Sequence, residues 1–176
     1  HPWHDLSLGT NVPNEVQVFI EIPQGSRNKY ELDKETGLIK FDRLLYSSVH
    51  YPGDYGFIPR TRAADDDPLD VVVITSDPTF PGCLMQVRPI GVFEMRDDKG
   101  LDEKILAVPL TDPLRSGYHS LDDVWPHYLR EVEHFFAVYK ELEGKSTELL
   151  GWKDVARAHE VIADCMARYA RSFPGP

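Results

Sequence analysis

Apolar and polar positions alternate through "VQVFIEI", where Val16, Val18, Ile20 and Ile22 share one face, the two-residue period of a strand. Pro23, Gly25, Ser26 and Asn28 then supply a turn. "KYEL" and "LIKF" follow, and the glycine-bearing connection "DKETG" between them suits a hairpin. "YPGDYGFIPR" reads as extended chain bent at Pro52-Gly53 and stopped at Pro59. "VVVI", Val71 to Ile74, is apolar on both parities, which predicts a central strand covered on both faces. "CLMQVRPIGVFEM" is a long strand interrupted by Pro89 and Gly91, where a bulge is expected. "KILAVPL" is a further strand. Short strands with turn punctuation are the pattern of a barrel or sandwich.

The period changes in the last third. From Pro126, Leu129, Val132, Phe136 and Tyr139 recur at three- and four-residue steps, and Phe135 and Leu142 widen the stripe. Ser120 with Asp123 reads as a capping box for a short turn before that helix. A second helix carries Val155, His159, Ile162, Met166, Tyr169 and Phe173 on one stripe, with His159 expected in the core and Met166 and the aromatics as packing. Residues 1–15 are turn-rich and predict an extended arm anchored through Trp3; Pro2 breaks any helical face that would align His1 with His4 as a metal pair. The expectation is a mainly β chain with flanking helices (α+β): one domain over 1–176, a small barrel at 16–110 and two packed helices at 120–173.

A length of 176 residues also favours one domain, on a prior of roughly 150 residues per domain. The formal net charge of −10 argues against nucleic acid or an anionic membrane as partner, because those are met with a basic face. An anionic substrate remains compatible, since bound divalent cations reverse a local field. Cys83 and Cys165 are too few for a disulfide framework or a zinc site, so a reducing, cytoplasmic compartment is the default expectation. No apolar run approaches the roughly 20 residues that span a bilayer. The opening His1 in place of methionine points to a trimmed N-terminus, which leaves a removed targeting segment open.

Charge is concentrated in "RAADDDPLDVVVI", where Asp65, Asp66, Asp67 and Asp70 crowd ahead of the valine run. Like charges so close raise one another's pKa unless a cation sits among them. An EF-hand starting at Asp65 would need glycine sixth and glutamate twelfth, but those positions hold Asp70 and Ser76. Zinc would want histidine or cysteine, so an all-oxygen set suits magnesium, manganese or calcium. A second acidic group, "RDDKGLDEK", holds Asp97, Asp98, Asp102 and Glu103 in a predicted turn. Glu21 and Glu31 add carboxylates, and Lys29, Arg43, Tyr51, Tyr55, Lys104, Tyr139 and Lys140 interleave with them. Taken singly, each has an ordinary structural explanation; taken together, they fit a cavity in which metals neutralise an anionic substrate.

The "DDDPLD" run matches D-x-D-P-x-D, and with "IEIP", "KYELDKETG", "FDR", "YPGDYGFIP", "RPIGVFEM", "DEKILAVP" and "HFFAVYK" the chain resembles the soluble family I inorganic pyrophosphatases from about Val16 to Lys140. "HPWHDL" is similar to the opening of some plant and bacterial members. The resemblance implies a five-stranded OB-like closed barrel and hydrolysis of pyrophosphate to two phosphates with several magnesium ions, for which manganese can substitute. It implies that Asp65, Asp70 and Asp102 hold the tightest ion, that Asp70 also meets a second, and that Asp97 with Asp102 binds one arriving with substrate. Glu21 and Glu31 would act mostly through intervening waters, and Asp67 would be general base for the water shared by two ions. Lys29, Arg43, Tyr55, Lys104, Tyr139 and Lys140 would hold the phosphates. Two departures stand out. Asp54 replaces the asparagine of many relatives, adding a charge near the site that bears on metal affinity. Of the helix histidines that often join bacterial hexamers only His134 is kept, Val138 taking the second place. A homo-oligomer, with the hexamer favoured, is expected from that likeness and from the wide apolar face around Phe135 and Phe136.

Two rival readings differ in class. A magnesium-dependent nucleotide or polyphosphate hydrolase lacks support from any G-x-x-x-x-G-K-[ST] loop. An OB-type module for single-stranded nucleic acid would need a basic groove with aromatics, which the acidic balance opposes.

Overall fold

The computed structural model describes residues 1–174. Strands β1 (Val16–Ile22), β4 (Asp54–Ile58), β5 (Leu69–Val73), β6 (Leu84–Asp97) and β7 (Gly100–Pro109) form one ring, with β2 (Asn28–Leu32) and β3 (Ile39–Leu44) as a separate hairpin. The ring order is β1-β4-β5-β7-β6, and a β1–β6 pairing closes it. Only β5 and β7 run parallel; the other ring pairs are antiparallel. Closed barrels remove exposed strand edges, and five short strands are enough when side chains fill the interior. The five-stranded OB-like closed barrel expected from the resemblance is the observed architecture.

Within the ring, β1 and β4 approach closely where Ile20 pairs with Gly56. A Cβ on Gly56 would lie 2.0 Å from the Phe19 carbonyl oxygen, so only glycine fits there. The expected bulge falls between Pro89 and Gly91, where the β6–β7 register shifts. A Cβ on Gly91 would meet Leu121 Cδ2 at 2.5 Å, which lets the short helical turn Leu121–Asp123 seat against the bulge. Asp123 caps that turn by accepting from the backbone N–H groups of His119 and Ser120 (2.7 and 3.1 Å).

The valine run is covered on both faces, as its parity predicted. Val71 and Val73, with Ile105 and Ala107 of β7, pack on Ala158, Val161, Ile162 and Cys165 of α2 (Val155–Ser172). Val72 and Ile74, with Leu106 and Val108, pack on Val132, Phe135, Phe136 and Tyr139, which lie on or just beyond α1 (Pro126–Val138). A third cluster ties Trp3 to Phe19, Leu32 and Phe57, so the N-terminal residues are anchored through the tryptophan.

Four expectations need correction. The buried stripe of α2 is centred on Ala158, Val161, Ile162 and Cys165, leaving Val155, His159, Met166 and Tyr169 half-buried at its margin and Phe173 exposed. His159 is therefore not a core histidine. The turn expected in "RDDKGLDEK" is only Asp98-Lys99: β6 runs to Asp97 and β7 starts at Gly100, so Asp97, Asp102 and Glu103 stand on strands and Asp98 alone stays in the turn. The sequence reading missed β8 (Glu148–Lys153), which pairs with the second half of β6. Finally, Phe135 and Phe136 are both buried within the chain, so the apolar width of α1 is used internally. Among the described residues, no helix is long and apolar enough to cross a membrane.

Candidate active site

Strand register builds the centre of the site. Asp70 and Lys104 are direct partners in the parallel β5–β7 pair, and Asp102 lies two residues from Lys104 on the same face. The Lys104 ammonium thereby reaches Asp70 Oδ2 at 2.6 Å and both Asp102 oxygens at 2.9 Å. Glu103, between them, points to the opposite face and accepts from Arg157 of α2 (3.0 Å). Pairing parity separates the site acids from the structural one.

The remaining groups arrive from the surrounding elements. Glu21 on β1 accepts from the Leu32 N–H (2.6 Å). On the β2–β3 hairpin, Lys29 meets Glu31 (2.9 Å) and Asp42 (3.0 Å), while Arg43 pairs with Asp42 and with Glu143 (2.9 Å). Asp65 and Asp67 stand on the β4–β5 loop, where Asp65 Oδ1 accepts from the Asp67 N–H (3.2 Å). Asp66 between them has φ 70°, a left-handed conformation that aspartate tolerates better than most side chains. The Asp67 carboxylate meets Lys34 from the β2–β3 turn, and Lys99 from the β6–β7 turn stands 3.7 Å away. Lys140, just past α1, lies 3.8 Å from Asp97.

These side chains surround one cavity of about 680 Å³. Asp67, Asp65, Asp70, Asp97, Asp102, Glu21 and Glu31 line it, as do Lys29, Arg43, Tyr55, Lys104, Tyr139 and Lys140, so the residues given a role by the resemblance stand in one place, whereas Asp66 and Glu103 of the two acidic clusters do not line it. The lining also includes Lys34, Asp42, Lys99 and Lys145, which sequence reasoning passed over. Asp42 stood inside the quoted "FDR", but a lysine on a hairpin turn carries no signal separating it from a solvated charge.

Electrostatics follow from burial. Desolvation pushes the Glu21 carboxyl up to about 8, the Leu32 N–H offsetting only part of that. Burial likewise raises Asp65, with Asp67, Asp70 and Asp102 adding repulsion. Asp70 is raised by burial against the pull of Lys104. For Lys104, burial works to discharge the ammonium, but Asp102 and then Asp70 outweigh it and hold its pKa well above the usual lysine value. Burial keeps the Tyr55 and Tyr139 phenols neutral, as donors. Desolvation lowers Lys140, and Lys104 adds to that.

Asp54 is placed elsewhere. Its fully buried carboxylate is absent from the cavity lining and accepts from the Gln24 N–H (2.7 Å) and the Thr79 N–H (3.1 Å). The extra charge thus ties β4 to two loops instead of facing the metal ligands. His134 is exposed and Val138 half-buried on α1.

Among the described residues, no three histidine, cysteine or acidic side chains converge closely enough to enclose a metal ion as they stand. Lys104 holds Asp70 and Asp102 together, and Lys34 engages Asp67. The donor chemistry nonetheless fits hard cations: the carboxylates are oxygen ligands, several are raised by burial and mutual repulsion, and a divalent ion relieves both.

The closed barrel thus carries one cavity in which carboxylates, lysines, an arginine and neutral phenols are interleaved, the donor chemistry of a site for a small, highly charged anion with hard cations. The family model described as inorganic pyrophosphatase matches residues 18–170. The inorganic pyrophosphatase of Methanosarcina acetivorans is 55 % identical over 152 residues, covering 86 % of this chain and 90 % of the relative. That of Haloferax volcanii is 45 % identical over 172 residues, 97 % of each chain. The crystal structure of the Thermus thermophilus inorganic pyrophosphatase superposes with a TM-score of 0.92 at 41 % identity, covering 96 % of this chain and 99 % of that one. The chain belongs to the inorganic pyrophosphatase family.

Proposed function

We propose that this chain is an inorganic pyrophosphatase, hydrolysing pyrophosphate to two phosphates with magnesium. The observation that carries the reading is the meeting of two acidic groups, from the β4–β5 loop and the β6–β7 strands, with basic and phenolic groups in one cavity. Removing pyrophosphate draws pyrophosphate-releasing biosynthesis forward and returns phosphate to metabolism.

Asp65, Asp70 and Asp102 would hold the tightest ion, Asp70 would share a second, and Asp97 with Asp102 would receive one that enters with substrate. Glu21 and Glu31 would act mostly through intervening waters. Bound magnesium spreads the negative charge of the substrate and lowers the pKa of the attacking water; manganese has compatible coordination chemistry. Asp67 accepts the proton as the water oxygen bonds to phosphorus and the bridging P–O bond breaks. Lys29, Arg43, Lys104 and Lys140 hold phosphate oxygens and balance charge on the leaving phosphate, while Tyr55 and Tyr139 donate neutral hydrogen bonds. This is catalysis mainly by positioning and electrostatic stabilisation.

The test is phosphate release from pyrophosphate, with ATP and tripolyphosphate compared under the same conditions. Activity that needs magnesium, disappears with chelator and prefers pyrophosphate supports the reading. Undiminished activity in metal-free buffer, or a preference for ATP, ends it.

A cytoplasmic homo-oligomer, the hexamer favoured, completes the proposal. Its support is the exposed apolar set that includes Trp125 (77 %) and Phe80 (64 %), not α1. Light scattering that gives the mass of one chain at micromolar concentration would refute the oligomer.

A further inference from the structure

The carboxylate of Asp67 meets its ion-pair partners at the tips of two hairpins, and they are not equally placed. Lys34 engages Oδ1 directly, whereas Lys99 stands 3.7 Å from Oδ2, beyond hydrogen-bonding distance. With Oδ1 engaged, Oδ2 is the oxygen left to accept a proton from a molecule in the cavity. The orientation of Asp67 therefore depends on where Lys34 stands.

Lys34 is itself held from behind. Its ammonium lies 5.5 Å from the centroid of the Trp3 ring, and its carbonyl oxygen is 2.9 Å from His1 Nε2. A cation over an indole face is attracted to it, which narrows the positions open to an otherwise flexible lysine. Trp3 is almost fully buried and also holds the segment that leads from β4 into the loop of Asp65 and Asp67. Its Nε1–H donates to the Thr61 carbonyl (2.7 Å), and its own carbonyl accepts from the Arg60 N–H (2.8 Å). Thr61 Oγ1 in turn accepts from the Leu69 N–H (2.9 Å), pinning together the two ends of the loop that carries Asp65 and Asp67. One tryptophan thus sets both the lysine and the frame of the aspartate it touches.

We propose that Lys34 is a positioning residue for Asp67, and that Trp3 fixes Lys34 in place, making the N-terminal turn a working part of the active site. This rests on the reading of Asp67 as general base. A lysine that merely recruited substrate would alter affinity; one that aims the base alters the chemical step.

Steady-state kinetics at saturating magnesium separate these, with melting temperatures recorded to establish that each variant is folded. Lys34→Gln is expected to lower kcat between about tenfold and a hundredfold, the range for a misplaced catalytic group, with KM unchanged. Lys34→Arg should recover most of the loss. Trp3→Phe, which keeps an aromatic ring but loses the Thr61 bond and the indole face, should lower kcat less. Combined with Lys34→Gln, it should lower kcat by less than the two separate losses multiplied, because the part routed through Lys34 is already gone. A raised KM with kcat intact would make Lys34 a substrate contact and overturn the proposal, and unchanged kinetics would overturn it too. Additive kcat losses would remove Trp3 from it. Asp67→Asn is the control for the parent reading. If it retains kcat, the base assignment fails; if it loses kcat while Lys34→Gln does not, only the present inference fails.

Discussion

Asp70 and Lys104 face each other across the parallel pair of the barrel, with the ammonium 2.6 Å from the carboxylate and Asp102 on its other side at 2.9 Å. A single lysine therefore compensates two of the carboxylates assigned to metal. Lys104→Met leaves both without a counter-charge, a loss on the order of 3 kcal/mol for a buried pair in chelator. Magnesium should raise the melting temperature of the variant more than that of the parent, because the ion replaces the missing charge. Equal magnesium shifts in both proteins would show that Lys104 and the metal do not share these ligands.

Within the "DDDPLD" run, ligand and base should part company. Asp65→Asn and Asp70→Asn weaken metal binding, so excess magnesium should recover part of the rate. Asp67→Asn keeps the size and most of the hydrogen bonding but removes the basicity, and kcat should fall on the order of 10²–10⁴ even at saturating metal. Full rescue of Asp67→Asn by magnesium would make it one more ligand.

Calcium should support the reaction poorly in place of magnesium. Its coordination is longer and looser, which spoils alignment of the attacking water. Phosphate release assayed in each metal is the check.

Arg157 is expected to matter for stability and not for chemistry. It joins α2 to Glu94 of β6 (2.9 Å) and Glu103 of β7 (3.0 Å) on the face away from the cavity. Burial raises Glu103, and Arg157 is the first group that opposes the rise. Arg157→Met should cost about 2 kcal/mol, the scale of hydrogen bonds to charged groups, with KM unchanged. Without the guanidinium, the folded pKa of Glu103 climbs further. The penalty for its buried charge is then present above that pKa and relieved as acid protonates the carboxyl. Denaturation curves should show the deficit narrowing as pH falls; a constant deficit would place the loss in packing.

The two thiols should differ in reactivity. Cys165 is fully buried, and desolvation pushes its thiol up to about 12, whereas Cys83 is partly exposed. Since the thiolate is the reactive form, the folded protein should label at Cys83 alone, and Cys165 only in denaturant. Mass spectrometry of alkylated peptides reads this directly.

Which residues would meet was legible in the sequence; how they would stand was less so. The cavity set came from the resemblance and from two clusters of acid. Nothing in "RDDKGLDEK" says that the strands run to the edges of the turn, because polar residues at a hairpin tip look the same paired or unpaired. The α2 stripe was displaced because periodicity weights large side chains, and its true centre includes Ala158 and Cys165. "ELLGWK" carries no clean alternation and has Gly151 at φ 97°, so its pairing to β6 is a tertiary choice. Asp54, standing where many relatives carry asparagine, was expected to add a charge near the site, yet it adjoins Tyr55 on β4, and adjacent strand positions point to opposite faces.

Closure of the ring through β1 also bears on how the molecule comes to exist. Val16 pairs with Val87, so this seam joins segments about 70 residues apart, and pairings of such long separation are slow to form. Before the strands pair, the aspartates belong to a charged, solvated chain with no reason to gather. A cation that binds only the closed ring then withdraws molecules from the unfolded pool by mass action. In that sense the ion proposed for turnover would also act as a ligand of folding, and its supply during synthesis would bear on how much protein reaches the folded state.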